Sequence, residues 1–301
     1  MVDPLAEVVT LLQPGAPFSK LVSARGPWRV RRSEAGEVFY CLILDGVCRL
    51  AAAGHEPIAL QKGDFALVPS AFDFTASSLE PPAEDTPPVA RPGGEFRLGV
   101  QRGQPDVRML IGHCTFGSPD ATLLVSLLPR LVHLRDQRRL GTLVELLREE
   151  SRERRPARDV ILSRLLEVLL IEALRSTAGT GASLGLLGGL ADERVAAAIR
   201  RMHERPTKPW TVAQLAKEAA LSRSTFFERF SGAVGVTPME YLLGWRMALA
   251  KDLLRRRSMT VREVAEHVGY SSASTFSVAF TRHVGLPPKH YARRQAESAS
   301  P

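Results

Sequence analysis

The chain has 301 residues, of which 45% are hydrophobic and 24% are charged, a composition typical of a globular protein with about two domains. It contains no run of about 18 uncharged apolar residues and no basic, apolar leader, so we expect no membrane partner and a cytoplasmic location. Three irregularly spaced cysteines are too few for a disulfide framework or a zinc finger.

The net charge of +8 is confined to the last third of the chain. From Arg205 onwards there are 15 Lys and Arg against 7 Asp and Glu, whereas the residues before Arg205 contain 25 of each. A basic domain attached to a neutral one indicates a polyanionic partner, with a merely solvated basic surface as the alternative.

Residues 1–110 are predicted to be rich in β-strands. In EVFYCLILDGVCRLAAAG, two apolar runs flank a central Asp-Gly pair, which is a strong signal for a two-residue hairpin. That hairpin would pair Ile43 with Cys48 and Cys41 with Leu50. The alternation of side chains along a strand would then point both thiols into the interior. A second pair of strands is predicted in GDFALVPSAFDFTA.

From Pro119 the hydrophobic period changes to that of helices. The segment RDVILSRLLEVLLIEALRS is apolar over more than one stripe, so it must bury against more than one neighbour. That neighbour is either the core of the same domain or a second copy of the chain, and we favour a homodimer. A Gly-rich stretch then predicts a linker. The expected division is a first domain at 1–176, a linker at 177–190 and a helical domain at 191–296.

An internal duplication of about 50 residues lies in the helical domain. The segments LSRSTFFERF and YSSASTFSVAF are its most similar parts. Residues 211–222 recur 49 positions later and residues 225–241 recur 50 positions later, with one insertion in a turn. The recurring residues of the first copy are Thr211, Val212, Ala216, Ser222, Thr225, Phe226, Phe230, Gly235, Pro238 and Tyr241. A repeat of this length predicts two copies of one supersecondary unit.

Each copy has the pattern of a helix-turn-helix. In the first copy, apolar residues at i, i+3, i+4 and i+7 form one helix face, and Ser222 can cap the next helix. Phe226 and Phe230 then return to the same core. The second copy repeats this with Ser271 or Ser272 as the cap, followed by Phe276 and Phe280. A long helix between the copies should hold the two recognition helices about 34 Å apart, for successive major grooves.

Residues from about 191 to 294 resemble the DNA-binding domain of the AraC/XylS family of transcription regulators. The resemblance lies in PWTVAQLAKEAALSRSTFFERFSGAVGVTPMEYLLGWRM and VREVAEHVGYSSASTFSVAFTRHVGLPPKHY. It implies sequence-specific binding to double-stranded DNA, control of nearby promoters and gating by the other domain. RNA polymerase is then a candidate partner.

The resemblance also assigns side chains to the DNA. Base-reading positions are Arg223, Ser224, Phe227 and Glu228 in the first copy, and Ala273, Ser274, Ser277 and Val278 in the second. Glu can accept a hydrogen bond from cytosine N4, whereas Phe and Val contact only a thymine methyl, so the second helix should position more than it specifies. Phosphate contacts fall to helix N-termini and to Ser222, Arg229, Arg246, Arg282 and Lys289.

Residues from about 20 to 115 resemble a cupin-like sensor domain, through FYCLILDGVCRL, LQKGDFALVPSAFDF and RMLIGHCTFGSP. The expected fold class is therefore α+β, with a cupin-like β-barrel and helices followed by an all-α domain with two helix-turn-helix motifs. Cupin enzymes bind a metal at positions that here correspond to Phe39, Cys41 and Phe74. Because Phe cannot ligate a metal, we expect no metal, no cofactor and no enzyme activity. His55 and His113 do not restore the ligand spacing.

Two sensing mechanisms stay open for the barrel. One is thiol chemistry at Cys41, Cys48 and Cys114, against the alternative that these are small buried hydrophobes. The other is a small apolar or aromatic effector beside Phe39 and Phe74, because no charged cluster in the sequence names a ligand. The competing functions are a metal-dependent cupin enzyme with a DNA-binding appendage and a non-specific architectural DNA-binding protein.

Overall fold

The computed structural model describes eight segments of the chain and divides them between two compact units. The described segments are residues 2–32, 37–69, 74–117, 124–125, 128–152, 155–176, 185–256 and 259–297. One unit comprises Leu12–Gly179, and the other combines Met1–Leu11 with Thr180–Pro301. The expected first domain at 1–176 therefore differs at its start, since the first eleven residues belong with the C-terminal helices.

The described residues of the first unit form two β-sheets and two long helices. Its strands are β1 (Pro14–Arg25), β2 (Arg29–Arg32), β3 (Glu37–Asp45), β4 (Val47–Ala52), β5 (Ile58–Gln61), β6 (Phe65–Val68), β7 (Phe74–Ser77), β8 (Val89–Ala90), β9 (Glu95–Gly99), β10 (Val107–Phe116) and β11 (Val132–Leu134). One sheet has the order β11-β6-β3-β10-β1-β9-β8 and the other the order β2-β7-β4-β5. Both contribute to one apolar core, so the cupin-like α+β class is confirmed, although the described strands form two sheets and not one closed barrel.

The predicted hairpin between β3 and β4 is wrong. β3 pairs with β10 and β6, whereas β4 pairs with β5 and β7, so Ile43 lies opposite Met109 and Cys48 lies opposite Leu60. Gly46 turns the chain from one sheet to the other at a φ of +79°, and a Cβ there would lie 1.9 Å from the carbonyl oxygen of Asp106. The second predicted strand pair, β6 and β7, is likewise divided between the sheets.

The predicted alternation of inward and outward side chains nevertheless holds in both β3 and β4. Cys41 and Cys48 are 3% and 2% exposed and belong to the same core cluster, as the prediction that both thiols face inward requires. The alternation survives because it depends only on each strand's own pleat, whereas the pairing depends on partners distant in the chain.

Helices α2 (Arg138–Arg152) and α3 (Arg158–Arg175) pack on β1, and α2 brings Gly141 beside Leu42 of β3. The helix predicted after Pro119 was expected to extend to Leu134. This is wrong, because Val132–Leu134 forms an edge strand on β6. α3 buries one broad apolar face in its own unit. It also exposes Ile161 and Val168, which lie at i and i+7 and so share a second face.

The second unit is helical. Its helices are α1 (Pro4–Leu12, apart from its last residue), α4 (Leu186–Ala191), α5 (Glu193–Glu204), α6 (Val212–Glu218), α7 (Arg223–Val234), α8 (Pro238–Arg256), α9 (Val261–His267), α10 (Ala273–Val284) and α11 (Pro288–Glu297). The last part of the predicted linker is folded, because α4 packs against α7 and buries Leu186 and Leu187. Residues 177–184 of that linker lie outside the described residues.

Helix α1 docks on the C-terminal helices through a buried histidine. The Nδ1 atom of His203 lies 2.6 Å from a carboxylate oxygen of Glu7, and its Nε2 lies 2.8 Å from the hydroxyl of Tyr241. The ring also stacks on Trp245 at 3.9 Å between centroids. Burial lowers the pKa of His203, and the carboxylate of Glu7 opposes that shift. This contact explains why the chain's first residues cluster with its last third.

The turns of the two helix-turn-helix motifs differ at one equivalent position, and this difference gives a testable prediction. Ala220 has a φ of +51° in the first turn and Gly269 has a φ of +84° in the second. A Cβ at Gly269 would lie 2.8 Å from the carbonyl oxygen of Thr207. Gly269→Ala should therefore lower the free energy of unfolding by at least about 1–2 kcal/mol, measured by urea denaturation.

The matched change, Ala220→Gly, removes a left-handed alanine and should leave stability unchanged or slightly higher. Equal losses in both variants would show that backbone strain does not distinguish the two turns.

Candidate DNA interface and sensor cavity

The two recognition helices, α7 and α10, begin with the same capping geometry. Ser222 accepts a hydrogen bond from the backbone N–H of Thr225 at 3.2 Å, and Ser272 accepts one from that of Thr275 at 3.1 Å. Of the two predicted caps in the second copy, Ser272 is therefore the one used. The preceding helices begin with Thr-based capping boxes at Thr211 and Thr260. Both predicted helix-turn-helix motifs are therefore confirmed, and each of their helices begins directly after its capping residue.

The first recognition helix presents its four predicted base-reading residues together. Arg223, Ser224, Phe227 and Glu228 are all exposed and line one surface cleft beside Val212. Phe227 is 42% exposed, although Phe226 beside it is fully buried. A large apolar side chain held in water next to a basic and an acidic group is suited to contact with base edges.

The second recognition helix brings together only part of its predicted set. Ser274 and Val278 line a cleft with Arg282 and His283, and Val278 is 71% exposed. Ala273 and Ser277 are not among the residues lining that cleft. The hydroxyl of Ser277 donates to the carbonyl of Ala273 at 2.7 Å, so its hydrogen-bonding capacity is partly used within the helix.

Some of the predicted phosphate contacts also have structural partners. Arg229, Arg282 and Lys289 are all exposed, and Arg229 pairs with the carboxylate of Asp192, which caps α5. The hydroxyl of Ser222, although exposed, is occupied by the cap.

Arg246 has structural partners that the sequence did not predict. Its guanidinium donates to the carbonyl of Pro206 at 2.8 Å and to that of Lys208 at 2.7 Å, and it approaches the turn at Gly269. The half-buried side chain therefore holds a loop to the long helix, and its contact with a phosphate stays a prediction. Arg194, which the sequence analysis did not single out, similarly donates to the carbonyl of Ala220 at 2.9 Å in the first turn. Neither role leaves a signal in residue spacing, because each partner is a backbone carbonyl.

A cavity of about 60 Å³ lies between the two sheets of the first unit. Its wall includes Phe39, Cys41, Cys48 and Phe74, as the sequence analysis expected for an effector site. The rings of Phe39 and Phe74 lie 4.4 Å apart between centroids. Cys114 is buried but does not line this cavity.

The two thiols in the cavity wall are poorly suited to sensing. Burial raises the pKa of Cys48 to about 12 and raises that of Cys41 well above its ordinary value, and each shift is increased by neighbouring acidic groups. The thiolate is the reactive form of cysteine, so both side chains are held in the unreactive form at neutral pH. The structure therefore favours the alternative that they are small buried hydrophobes.

Three basic residues also line the cavity, which the sequence analysis missed. Lys20 lies on the inward-facing side of β1. Arg32 and His113 lie on the inward-facing sides of β2 and β10. These positions could have been predicted, because each lies two residues from an apolar cavity residue and therefore on the same face of its strand. The apolar residues are Val22, Val30 and Ile111. The expectation that no charged cluster marks a ligand site is thereby corrected. Among the described residues, no group of three or more His, Cys, Asp or Glu is placed to hold a metal.

The environment of His113 predicts a pH dependence. Burial, Arg32 and Lys20 lower its pKa to about 4 from an ordinary value of 6.5. The unfolded chain therefore binds more protons between these values, so stability falls as pH decreases from about 6.5 towards 4. His113→Gln should reduce this decrease in the transition of the first unit, as measured by calorimetry. An unchanged pH dependence would show that His113 is not held neutral.

Comparisons with known proteins agree with this two-part architecture. Residues 3–179 match a family model described as Cupin, and residues 215–294 match one described as Helix-turn-helix domain. A putative AraC-like transcription regulator of Streptomyces lividans is 36% identical over 296 residues, covering 96% of this chain and 97% of the relative. Another, of Streptomyces antibioticus, is 35% identical over 297 residues, covering 96% and 98%.

Among solved structures, the DNA-binding domain of AdpA in complex with a target DNA is 29% identical. It covers 35% of this chain and 94% of its own, with a TM-score of 0.33. None of the described helices is both long and apolar enough to cross a membrane. Because full-length relatives and both family models agree with the two capped motifs, the chain belongs to the AraC-type family of transcription regulators and is a sequence-specific DNA-binding regulator.

Proposed function

We propose that a small molecule bound between the two sheets of the sensor domain controls DNA binding by the two helix-turn-helix motifs. The observation that carries this proposal is the cavity itself, whose wall is mostly apolar and includes a few polar groups. Small-molecule sites have this composition. The raised pKa values of Cys41 and Cys48 favour ligand binding over thiol chemistry.

Filling the cavity tests this proposal. Ala76 lines the cavity, whereas Ala59 is exposed on β5 of the same four-stranded sheet, so Ala76→Phe and Ala59→Phe add the same volume in different places. DNA affinity is measured by fluorescence anisotropy with and without a panel of small aromatic and aliphatic compounds. We expect Ala76→Phe to abolish the response and Ala59→Phe to retain it. A retained response in Ala76→Phe would place the effector elsewhere.

The thiol alternative has its own test. If Cys41 is only a packing residue, Cys41→Ser should show the same DNA binding as the unmodified chain, with and without a mild oxidant. A response to oxidant that disappears in Cys41→Ser would support thiol sensing instead.

The same proposal assigns the reading of DNA bases chiefly to the first motif. Arg223, Ser224 and Glu228 offer hydrogen-bonding groups at its cleft, whereas the cleft of the second motif offers only Ser274 and the 71% exposed, apolar Val278 from its predicted set. Selection of binding sites from random DNA should therefore give one well-defined and one weakly defined half-site. A non-specific architectural protein would select no motif, and its affinity would depend only on salt.

We further propose that the regulator is a homodimer that contacts itself through the exposed apolar face of α3. Ile161 and Val168 are 41% and 48% exposed and lie two turns apart on this face, and adjacent exposed apolar side chains of this kind are typical of a protein interface. Val168→Glu should convert dimers to monomers in sedimentation experiments, with the exposed Arg175→Glu as the control on the same helix. An unchanged sedimentation coefficient would remove this face from the interface.

Two further parts of the proposal concern the absence of enzyme activity and the place of action. By the resemblance to cupins, Phe39 and Phe74 correspond to positions where cupin enzymes carry metal ligands, and this favours a sensor over an enzyme. A regulator of this kind would act on promoter DNA in the cytoplasm, where activation would involve RNA polymerase.

A further inference from the structure

We propose that Arg246 determines which spacing between two DNA half-sites the regulator accepts, because it holds the loop of the first helix-turn-helix motif against the turn of the second. Arg246 is then a positioning residue, which acts on DNA recognition through the relative orientation of the two recognition helices. This role concerns the DNA-binding unit alone and is independent of the effector cavity.

The loop that leads into the first motif, residues 205–211, is fixed by its own contacts. The indole N–H of Trp210 donates to the carbonyl of Arg205 at 3.0 Å, and the ring is only 4% exposed. The ammonium group of Lys208 lies 3.8 Å from the centre of that ring. The last residue of the loop, Thr211, caps the first helix of the motif. A movement of this loop therefore moves the first motif with it.

Arg246 lies on α8, the long helix between the motifs, and contacts this loop at two points. Its Nε atom donates to the carbonyl of Pro206 at 2.8 Å, and its Nη2 atom donates to that of Lys208 at 2.7 Å. One planar guanidinium thus holds two carbonyls of the same loop. This arrangement suits the fixed fork of arginine donors better than the single nitrogen of lysine.

The turn of the second motif lies against the same loop. A Cβ on Gly269 would lie 2.8 Å from the carbonyl oxygen of Thr207 and 2.9 Å from Nη2 of Arg246. Glycine is therefore required here for a close backbone approach as well as for its positive φ. The next residue, Tyr270, packs edge-on against Phe276 of the second recognition helix, with 5.6 Å between ring centroids. The contact with the loop thus continues into that helix.

The equivalent turn of the first motif is held differently. Ala220, at the position that corresponds to Gly269, accepts a hydrogen bond at 2.9 Å from Arg194 on the preceding helix α5. In the second motif, the turn instead meets the loop that leads into the other copy of the duplication. The difference between the two copies therefore identifies a contact that joins the motifs to each other.

This contact has a consequence for the DNA sites that the unit can bind. Two recognition helices enter successive major grooves only if their separation and rotation match the helical repeat of DNA, about 10–10.5 base pairs. The helix α8 provides one connection between the motifs, and the contacts of Arg246 provide a second. Two connections restrict rotation of one motif relative to the other. The restriction favours one half-site spacing, since less conformational freedom is lost on binding to that spacing.

The test varies the half-site spacing. Footprinting of the full chain on its selected DNA locates the two half-sites, and further duplexes carry one or two base pairs inserted or deleted between them. Competition binding at fixed salt gives the affinity for each duplex. We expect the unmodified chain to prefer its selected spacing roughly tenfold over the neighbouring ones, and Arg246→Met to reduce this preference about threefold or more.

Arg246→Lys separates the positioning role from a phosphate contact. Lysine keeps the positive charge that attracts a phosphate but lacks the planar fork, so this variant should also lose spacing preference while its salt dependence stays unchanged. Arg256→Met is the matched control, because Arg256 lies on the same helix and pairs with Asp252 of that helix at 2.8 Å. It removes the same charge and should keep the full spacing preference.

Two results would overturn the proposal. Arg246→Met could weaken binding equally at every spacing and lower the slope of affinity against salt by about 1, which would show a phosphate contact instead. Thermal unfolding and binding to a duplex with the first half-site alone check that each variant is folded. If Arg246→Met fails that check, the milder Arg246→Lys decides, and an unchanged spacing preference in the folded Arg246→Lys variant would equally overturn the proposal.

Discussion

Replacing Phe230 with alanine is expected to lower the free energy of unfolding of the DNA-binding unit by about 3–5 kcal/mol. Phe230 is fully buried, and its ring lies 5.6 Å from Phe226 and 5.8 Å from Tyr241 between centroids. Removing the ring leaves a cavity where the recognition helix meets the long helix. Since whole domains are stable by only about 5–15 kcal/mol, this loss is a large part of the total. Calorimetry of the full chain would measure it.

Phe227→Ala is the matched control, because it removes the same ring from a position three residues earlier on the same helix. Phe227 is exposed on the reading face, so its loss should cost about 1 kcal/mol or less of stability while weakening DNA binding. Phe280→Ala should reproduce the large effect in the second motif, where Phe280 is also fully buried. Equal losses of stability in Phe227→Ala and Phe230→Ala would contradict the assignment of the two ring faces.

These paired phenylalanines also show why the DNA-binding unit could be predicted well from the sequence. Its signals are local: a serine cap three residues before the N–H that it accepts from, and two rings four residues apart on one helix face. Comparison of the two copies shows which residues recur and which differ. The recurring residues form caps and core contacts, whereas the differing residues lie on the proposed reading face. Contacts between residues distant in the chain, such as those of Arg246 with backbone carbonyls and of His203 with Glu7, could not be predicted from residue spacing.

The sensor domain was less predictable because its structure depends on long-range pairing. The Asp-Gly pair before β4 is typical of a hairpin, but Gly46 in fact turns the chain between two sheets, and β3 takes β10 and β6 as its neighbours. Alternation within each strand was still informative. It placed Cys41 and Cys48 inside and, if followed along β1, β2 and β10, would have placed Lys20, Arg32 and His113 there as well.

The proposed reading face gives the second large expected effect. Glu228→Arg should change the preferred base at one position of the DNA site from cytosine to guanine. A carboxylate can accept a hydrogen bond from cytosine N4, whereas a guanidinium can donate two hydrogen bonds to guanine O6 and N7. Because a good bidentate pair contributes about 1–3 kcal/mol of discrimination, the ratio of affinities for the two sites should change by roughly 5- to 150-fold. Site selection followed by competition binding at fixed salt would measure it.

The control must separate base recognition from the added positive charge. Glu193→Arg makes the same change of charge in the same unit, on an exposed position outside both reading clefts. It should leave the selected sequence unchanged and alter affinity uniformly across sites, since phosphate attraction carries no sequence information. If Glu228→Arg behaves in the same way, Glu228 lies outside the major groove. A change in the selected base with Glu228→Arg alone would instead place the first recognition helix in that groove with the orientation proposed.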